Sequence, residues 1–296
     1  MSSVLNLSKT VLKNPSLASA MKAMHKIAPL ALADSSWDNV GLLLESPIQP
    51  KSNGIFLAID LTTPVCEEIL SKKGRISVAI VYHPIIFRGL KSMTLSDPQQ
   101  ASILRLASEG VSIYCPHTSL DATVGGINDW LARVVETDVY ERLGDDQLEV
   151  DSEPILPTQV QGLEPSQKRA GMGRLIRLSQ SIEFERLVQR VKRNLDLNFV
   201  QVSKASEKPI ETVAVCAGSG GSVFKGVKAD LLLTGELSHH EILAAKANGT
   251  SVILTNHTNT ERKFLRDVLK PKLESILGQG TEVLVSVQDK DPLSVM

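Results

Sequence analysis

The sequence predicts an α/β protein made of two interlinked βα lobes with mainly parallel sheets. Three observations carry that expectation. Short apolar runs alternate with stretches of helical periodicity. Two helices open on a cap residue followed by proline and close on glycine, the punctuation of a strand–helix–strand crossover. The alternation lapses over residues 144–170 and then resumes, which predicts lobes at 1–143 and 171–296 joined by a linker.

The chain opens on "MSSVLNLSKTVLKNPSLASAMK", rich in Ser and Lys, with no acidic residue before Asp34. Residues 1–15 read either as a targeting segment, although Arg is missing, or as a frayed tail. From about Ser16 to Leu32 apolar residues recur at helical spacing, and Pro29 marks a kink or the end. "GIFLAID" (54–60) is a buried strand. Thr63-Pro64 opens the next helix and Gly74 closes it, before a second strand, "ISVAIVYHP" (76–84). "SDPQQASILRLASEG" (96–110) repeats cap, proline, helix and glycine. The strand "VSIYCP" (111–116) and the helix "GINDWLARVV" follow.

Residues 144–171 collect Pro, Asp, Glu and Gln without periodicity, as a long connection or a short excursion would. Order resumes with the strand "GRLIRLSQ" and the helix "SIEFERLVQRVKRNLDL". "ETVAVCAG" (211–218) is a strand running into the turn "GSGGS". "ADLLLTGE" (229–236) is another, followed by the helix "SHHEILAAKANG". The strand "SVILTNH" (251–257), a helix from about 260 and a last strand, "TEVLVSVQD", complete the chain.

A formal net charge of -1 gives no electrostatic reason to expect nucleic acid or an anionic membrane as partner. Aromatic content of 4% leaves few platforms on which single-stranded bases could stack. No apolar run approaches the ~20 residues needed to span a bilayer. Cys66, Cys115 and Cys216 are sparse and far apart, which fits buried thiols in a reducing compartment, the cytoplasm in the simplest case.

The chemistry collects at strand ends. Of six histidines, His83, His117, His239, His240 and His257 sit at or just beyond the end of an apolar strand. Parallel strands deliver those ends to one sheet edge, where ligands gather. Carboxylates accompany them: Asp121 lies four residues after His117, Glu236 three before His239, and Glu261 four after His257. Neutral imidazoles with carboxylates suit zinc, iron or manganese, and a carboxylate can bridge two ions. Plainer readings stand beside these. Glu261 has capping-box spacing to Thr258, His83 before Pro84 could simply end a strand, and Asp121 could form an Asx turn. For Ser238 and Glu241 the capping box is the preferred reading. "CAGSGGSVFKG" (216–226) matches neither phosphate-binding fingerprint. A tight turn that lets backbone approach a neighbour is preferred there over phosphate contact.

Nine stretches, among them "SWDNVGLLLE" (36–45), "VYHPIIFRGLK" (81–91), "IYCPHTSLDA" (113–122), "ADLLLTGELSHHEIL" (229–243) and "VILTNHTNTERKFL" (252–265), closely resemble the NIF-three-like family. That family is also labelled GTP cyclohydrolase I type 2 homologues. The resemblance runs from about residue 20 to the C-terminus and is strongest to the eukaryotic branch. It implies two α/β lobes around a shared metal-binding cleft, a ring-shaped homohexamer, and one or two divalent ions per chain. By position His83, Asp121, His257 and Glu261 match metal ligands, with Asp121 and Glu261 the candidates to bridge. His117, Glu236 and His240 lie in family motifs as pocket-lining partners or proton carriers. Tyr82 stands where bacterial members commonly have a histidine. A phenol ionises only near pH 10, which puts the second ion in doubt. The linker is also too short for the extra domain that many relatives insert.

Two functions follow. One is a metal-dependent hydrolase acting on a small nucleotide-like or phosphorylated substrate through metal-activated water. The other is a metal- or ligand-binding scaffold that contacts protein partners. Cytoplasmic location is the expectation, with mitochondrial import tied to the N-terminal segment.

Overall fold

A computed structural model describes residues 14–138 and 150–295. Residues 1–13 of the N-terminal segment and 144–149 of the linker lie outside the described residues. The elements begin with α1 (Pro15–Ile27), β1 (Gly41–Leu44), β2 (Gly54–Ala58), α2 (Thr63–Ser71), β3 (Ile76–Val81), α3 (Pro98–Ser108) and β4 (Ser112–Cys115). Then come α4 (Thr118–Ala122), α5 (Ile127–Glu136), β5 (Ser152–Glu153), β6 (Leu156–Pro157), β7 (Gly171–Met172), β8 (Arg174–Ile182) and α6 (Phe184–Leu195). The chain ends with β9 (Gln201–Ser203), β10 (Ile210–Ser219), β11 (Leu231–Glu236), α7 (His239–Ala247), β12 (Ser251–Leu254), α8 (Arg262–Phe264), α9 (Lys270–Leu277) and β13 (Val283–Val285).

The chain divides into two compact units. One joins the residues up to Leu120 with Val268–Lys290, and the other joins Asp121–Asp267 with the residues from Asp291. The chain therefore returns to the first unit for one helix and one strand before it ends in the second.

In the first unit a five-stranded sheet has the order β1-β4-β3-β2-β13. β13, β2, β3 and β4 are parallel, and β1 closes the edge antiparallel. Every residue of β2, β3 and β4 is buried. Strands covered on both faces need apolar side chains on both, which is why these segments show no alternation. The crossover helices α2 and α3 bury Val65, Cys66, Ile69, Ile103 and Leu106 against the sheet. Asp97 caps α3 by accepting from Gln100 N at 2.9 Å. α1 is capped by Asn14, whose side chain accepts from Ser16 N and Leu17 N, and it ends at Ile27, before Pro29 leads into a separate 3-10 turn at Leu30–Leu32.

In the second unit the order is β5-β8-β10-β11-β12-β9. The centre, β10-β11-β12, is parallel, and antiparallel strands flank it. α5 and α6 cover the sheet with a buried stripe that includes Trp130, whose ring meets Phe264 at 6.1 Å. The prolines and polar residues after 150 form an excursion stitched onto this unit. β5 pairs with β8 and β6 with β7, while the Gln167 side chain accepts from Thr123 Oγ1 at 3.0 Å and Val124 N at 2.9 Å. Among the described residues no helix is long and apolar enough to cross a membrane. All three cysteines are buried and unbridged.

Candidate metal centre

In the first unit, residues just past parallel strands carry the chemistry. Asp60, His83 and His117 each stand two positions beyond the last residue of β2, β3 and β4. The ladder continues past β3, since His83 N donates to Ile59 O at 2.9 Å. His83 Nδ1 lies 2.9 Å from Asp60 Oδ1, and His117 Nδ1 lies 2.7 Å from Asp38 Oδ1. The two imidazoles sit 5.4 Å apart, nearly perpendicular, with the buried Tyr82 ring edge-on to His117. His117 adopts a left-handed φ of 34°, an uncommon backbone for a non-glycine residue. Asp38 holds it there, its second oxygen accepting from the Thr118 hydroxyl and amide. Burial would raise the Asp38 carboxyl, but the hydrogen bond and charge of His117, with Thr118, hold it below its ordinary value. Farther along the chain, Asp289 accepts from Ile59 N at 2.7 Å and so fixes the residue that precedes Asp60.

In the second unit the same edge logic applies to β10, β11 and β12. Glu236 is the last residue of β11, and His257 opens a 3-10 turn just past β12. His257 Nδ1 lies 3.0 Å from Glu236 Oε2, and its Nε2 lies 3.7 Å from Glu261 Oε1. The second spacing exceeds a hydrogen bond and suits two donors that share a cation. Glu261 is 1% exposed. Thr258, the other member of its candidate capping box, is engaged elsewhere: its hydroxyl donates to Asp291 at 2.9 Å and accepts from Arg262 at 2.6 Å. The Ser238–Glu241 capping box is formed in full.

The glycine-rich turn makes room for this pair. A Cβ on Gly218 would stand 2.8 Å from His257 Nε2 and 3.0 Å from Glu261 Oε1. Gly218 is pinned in place, with N donating to Thr260 Oγ1 at 2.8 Å and O accepting from Thr234 Oγ1 at 3.0 Å. Thr260 in turn donates to His257 O at 2.6 Å. Buried Asn128 links Asp121 to β10. Its amide donates to Asp121 O at 3.1 Å, and its oxygen accepts from Ala217 N at 3.0 Å. Asn128→Ala is expected to cost about 1–3 kcal/mol of stability, because both buried partners lose a bond. Chemical denaturation measures it.

Asp121 is buried in α4. Burial first, then the nearby carboxylates of Asp121 and Glu261, push the Cys216 thiol above its ordinary range. His240 is placed differently, exposed on α7 with its ring 5.4 Å from His239. Asp38, Asp60, Gly218 and Asn128 were not singled out from the sequence, although "SWDNVG" and "GIFLAID" display both aspartates. The strand-end rule that found the histidines applies to Asp60 as well.

The donor chemistry fits a transition metal. In the second unit His257 and Glu261 are donors that could share a metal ion, and His83 in the first unit is a donor of the same kind. In each unit a carboxylate stands on the Nδ1 of the histidine, as metal-bound imidazoles require to fix ring and tautomer. Glu236→Gln should therefore weaken metal binding by roughly 10–100-fold without removing a ligand. Competition with a chelating dye reads that change.

Comparison with known proteins agrees with this architecture. The family model Duf34/NIF3 (NGG1p interacting factor 3) matches residues 15–292. The chain is 45% identical to Protein NIF3 homolog of Schizosaccharomyces pombe over 93% of its own length and 96% of that protein. It is 36% identical to NGG1-interacting factor 3 of Saccharomyces cerevisiae, over 93% and 95% of the two chains. The structure of a Bacillus cereus protein related to NIF3 superposes with a TM-score of 0.77 at 17% identity, covering 97% of this chain and 100% of that one. On this agreement the chain belongs to the Duf34/NIF3 family.

Proposed function

We propose that the chain is a divalent-metal-dependent hydrolase acting on a small nucleotide-like or phosphorylated substrate. The observation that supports it most is His257, oriented at Nδ1 by Glu236 and facing the buried carboxylate of Glu261 with its Nε2. His83, His257 and Glu261 would hold the ion, and Asp121 is the proposed fourth ligand. Zinc, iron or manganese suits these donors, and Tyr82 in place of an imidazole favours one tightly held ion over two. Such an ion supplies Lewis-acid polarisation and a water that is nucleophilic at neutral pH. The protein's part is to orient and to move protons. Asp60 and Glu236 fix the two rings at Nδ1, and Asp38 does the same for His117. His117 would then exchange a proton with a substrate leaving group, and Glu236 and exposed His240 are the remaining candidates for that role.

Elemental analysis of the purified protein, followed by a screen of nucleotides and phosphoesters, tests the proposal. At least one ion per chain and metal-dependent turnover of one class are expected; less than one ion per chain removes its basis. A homohexamer is the proposed assembly, read out by light scattering. Cytoplasm is the proposed location, suited to three unbridged thiols, with mitochondrial import as the alternative that cell fractionation separates.

A second reading is a scaffold, and the name of the yeast relative, NGG1-interacting factor 3, supports it. Asp121→Ala with Glu261→Ala separates the two. Cellular function that survives loss of metal favours the scaffold.

A further inference from the structure

Trp37 is exposed in a way that burial would normally prevent. A tryptophan is usually well covered, yet this one is 51% exposed, and Phe87 beside it is 45% exposed. The two rings lie 6.0 Å apart at 51°, an open wedge rather than a closed stack. Trp37 also reaches His117, with its ring 5.8 Å from the imidazole and edge-on to it.

The wedge is held in position by the network that orients His117. Trp37 Nε1 donates to Asp34 Oδ2 at 2.9 Å. Asp34 N donates to Thr118 Oγ1 at 3.0 Å, and that hydroxyl donates to Asp38, the partner of His117. The Phe87 side is tied in by Asn39, which donates to Ile86 O. Hydrogen bonds from Ser36, opposed by burial and aided by Trp37, keep the Asp34 carboxyl below its ordinary value, so it accepts as a carboxylate at neutral pH. An exposed indole that is anchored through its N–H keeps its faces for something flat.

We infer that Trp37 and Phe87 form a subsite for a planar heteroaromatic ring, placed so that the rest of the ligand extends over His117 and His83. The inference deepens the hydrolase reading and rests on it for the identity of the reacting end; the ring subsite itself depends only on the wedge. It favours a nucleobase-bearing substrate over a simple phosphoester.

Isothermal titration of the full chain with adenosine and guanosine monophosphates, against ribose 5-phosphate, tests it. Trp37→Leu and Phe87→Leu are compared, each first checked for unchanged thermal unfolding. Saturable nucleotide binding, weakened at least about fivefold in both variants, is expected from the loss of one stacking partner. Ribose 5-phosphate should bind more weakly than either nucleotide and should not discriminate between the variants. Equal affinities in wild type and variants, equal affinities for the nucleotides and ribose 5-phosphate, or no saturable binding would each overturn the subsite. The titration is run on metal-loaded and chelator-treated protein. Ring-dependent binding by a protein that takes up no metal even when metal is supplied overturns the hydrolase reading alone, and metal-dependent turnover without ring preference overturns the subsite alone.

Discussion

Glu261→Gln is expected to lower metal affinity at least about a hundredfold while leaving the fold intact. Removing an outer partner of a ligating histidine costs 10–100-fold, so removing a ligand belongs at or beyond the upper end. Glu261 is buried, and its Oε1 faces His257 Nε2 at 3.7 Å. The amide keeps the side chain's shape and gives up the charge that a cation would need. Without metal, the variant and the wild type should unfold within a degree or two of each other. With metal at about a hundred times its dissociation constant, the wild type gains about 2.7 kcal/mol and the variant does not. Paired melting curves, with and without chelator, show the difference directly.

Gly218→Ala is expected to damage the site from the backbone side. The new Cβ would meet His257 Nε2 at 2.8 Å and Glu261 Oε1 at 3.0 Å, at a φ of 62°. The left-handed backbone alone costs about 1–2 kcal/mol for a residue with a Cβ. A backbone shift would break the bonds to Thr260 and Thr234, so His257 must move instead. For a chain of this size the strain corresponds to a fall of several degrees in Tm, at roughly 2–4 °C per kcal/mol. Metal affinity should fall at least tenfold with it, as displacement of a ligating ring implies. A variant that matches the wild type in both melting and metal content would show that the close approach is not needed.

How far the sequence could be read follows from which physical signals are local. β2, β3 and β4 were legible because helices cover both faces of the sheet, which forces continuous apolar runs. β9, the exposed three-residue edge "QVS", is too short to show any periodicity. "TEVLVSVQD" reads as a strand, yet only Val283–Val285 pairs, and it pairs with β2 of the first unit. Apolar pattern announces a strand and says nothing about its neighbour. The helix expected from about 260 is in fact a 3-10 turn, a short α segment, a π turn at Leu265–Leu269 and α9. These differ by hydrogen-bond register, which side-chain periodicity does not resolve.

The site was legible in its imidazoles and less so in their supports. A histidine at a strand end is rare enough to stand out, whereas Asp38 and Asp60 look like ordinary turn residues until the rings they hold are seen. Gly218 was readable as a turn that admits close backbone approach. What approaches it, the His257 ring and the Glu261 carboxylate, is fixed by tertiary structure alone. Asn128 carried no signal of its own, because its two bonds join segments far apart in sequence.

The most direct measurement is anomalous diffraction from crystals of the natively purified protein, recorded on both sides of the absorption edge of the metal found by elemental analysis. The account predicts one strong peak within about 2.0–2.3 Å of nitrogen atoms of both His83 and His257 and of a Glu261 oxygen. A metal-loaded crystal whose peak lies away from these three side chains would contradict it.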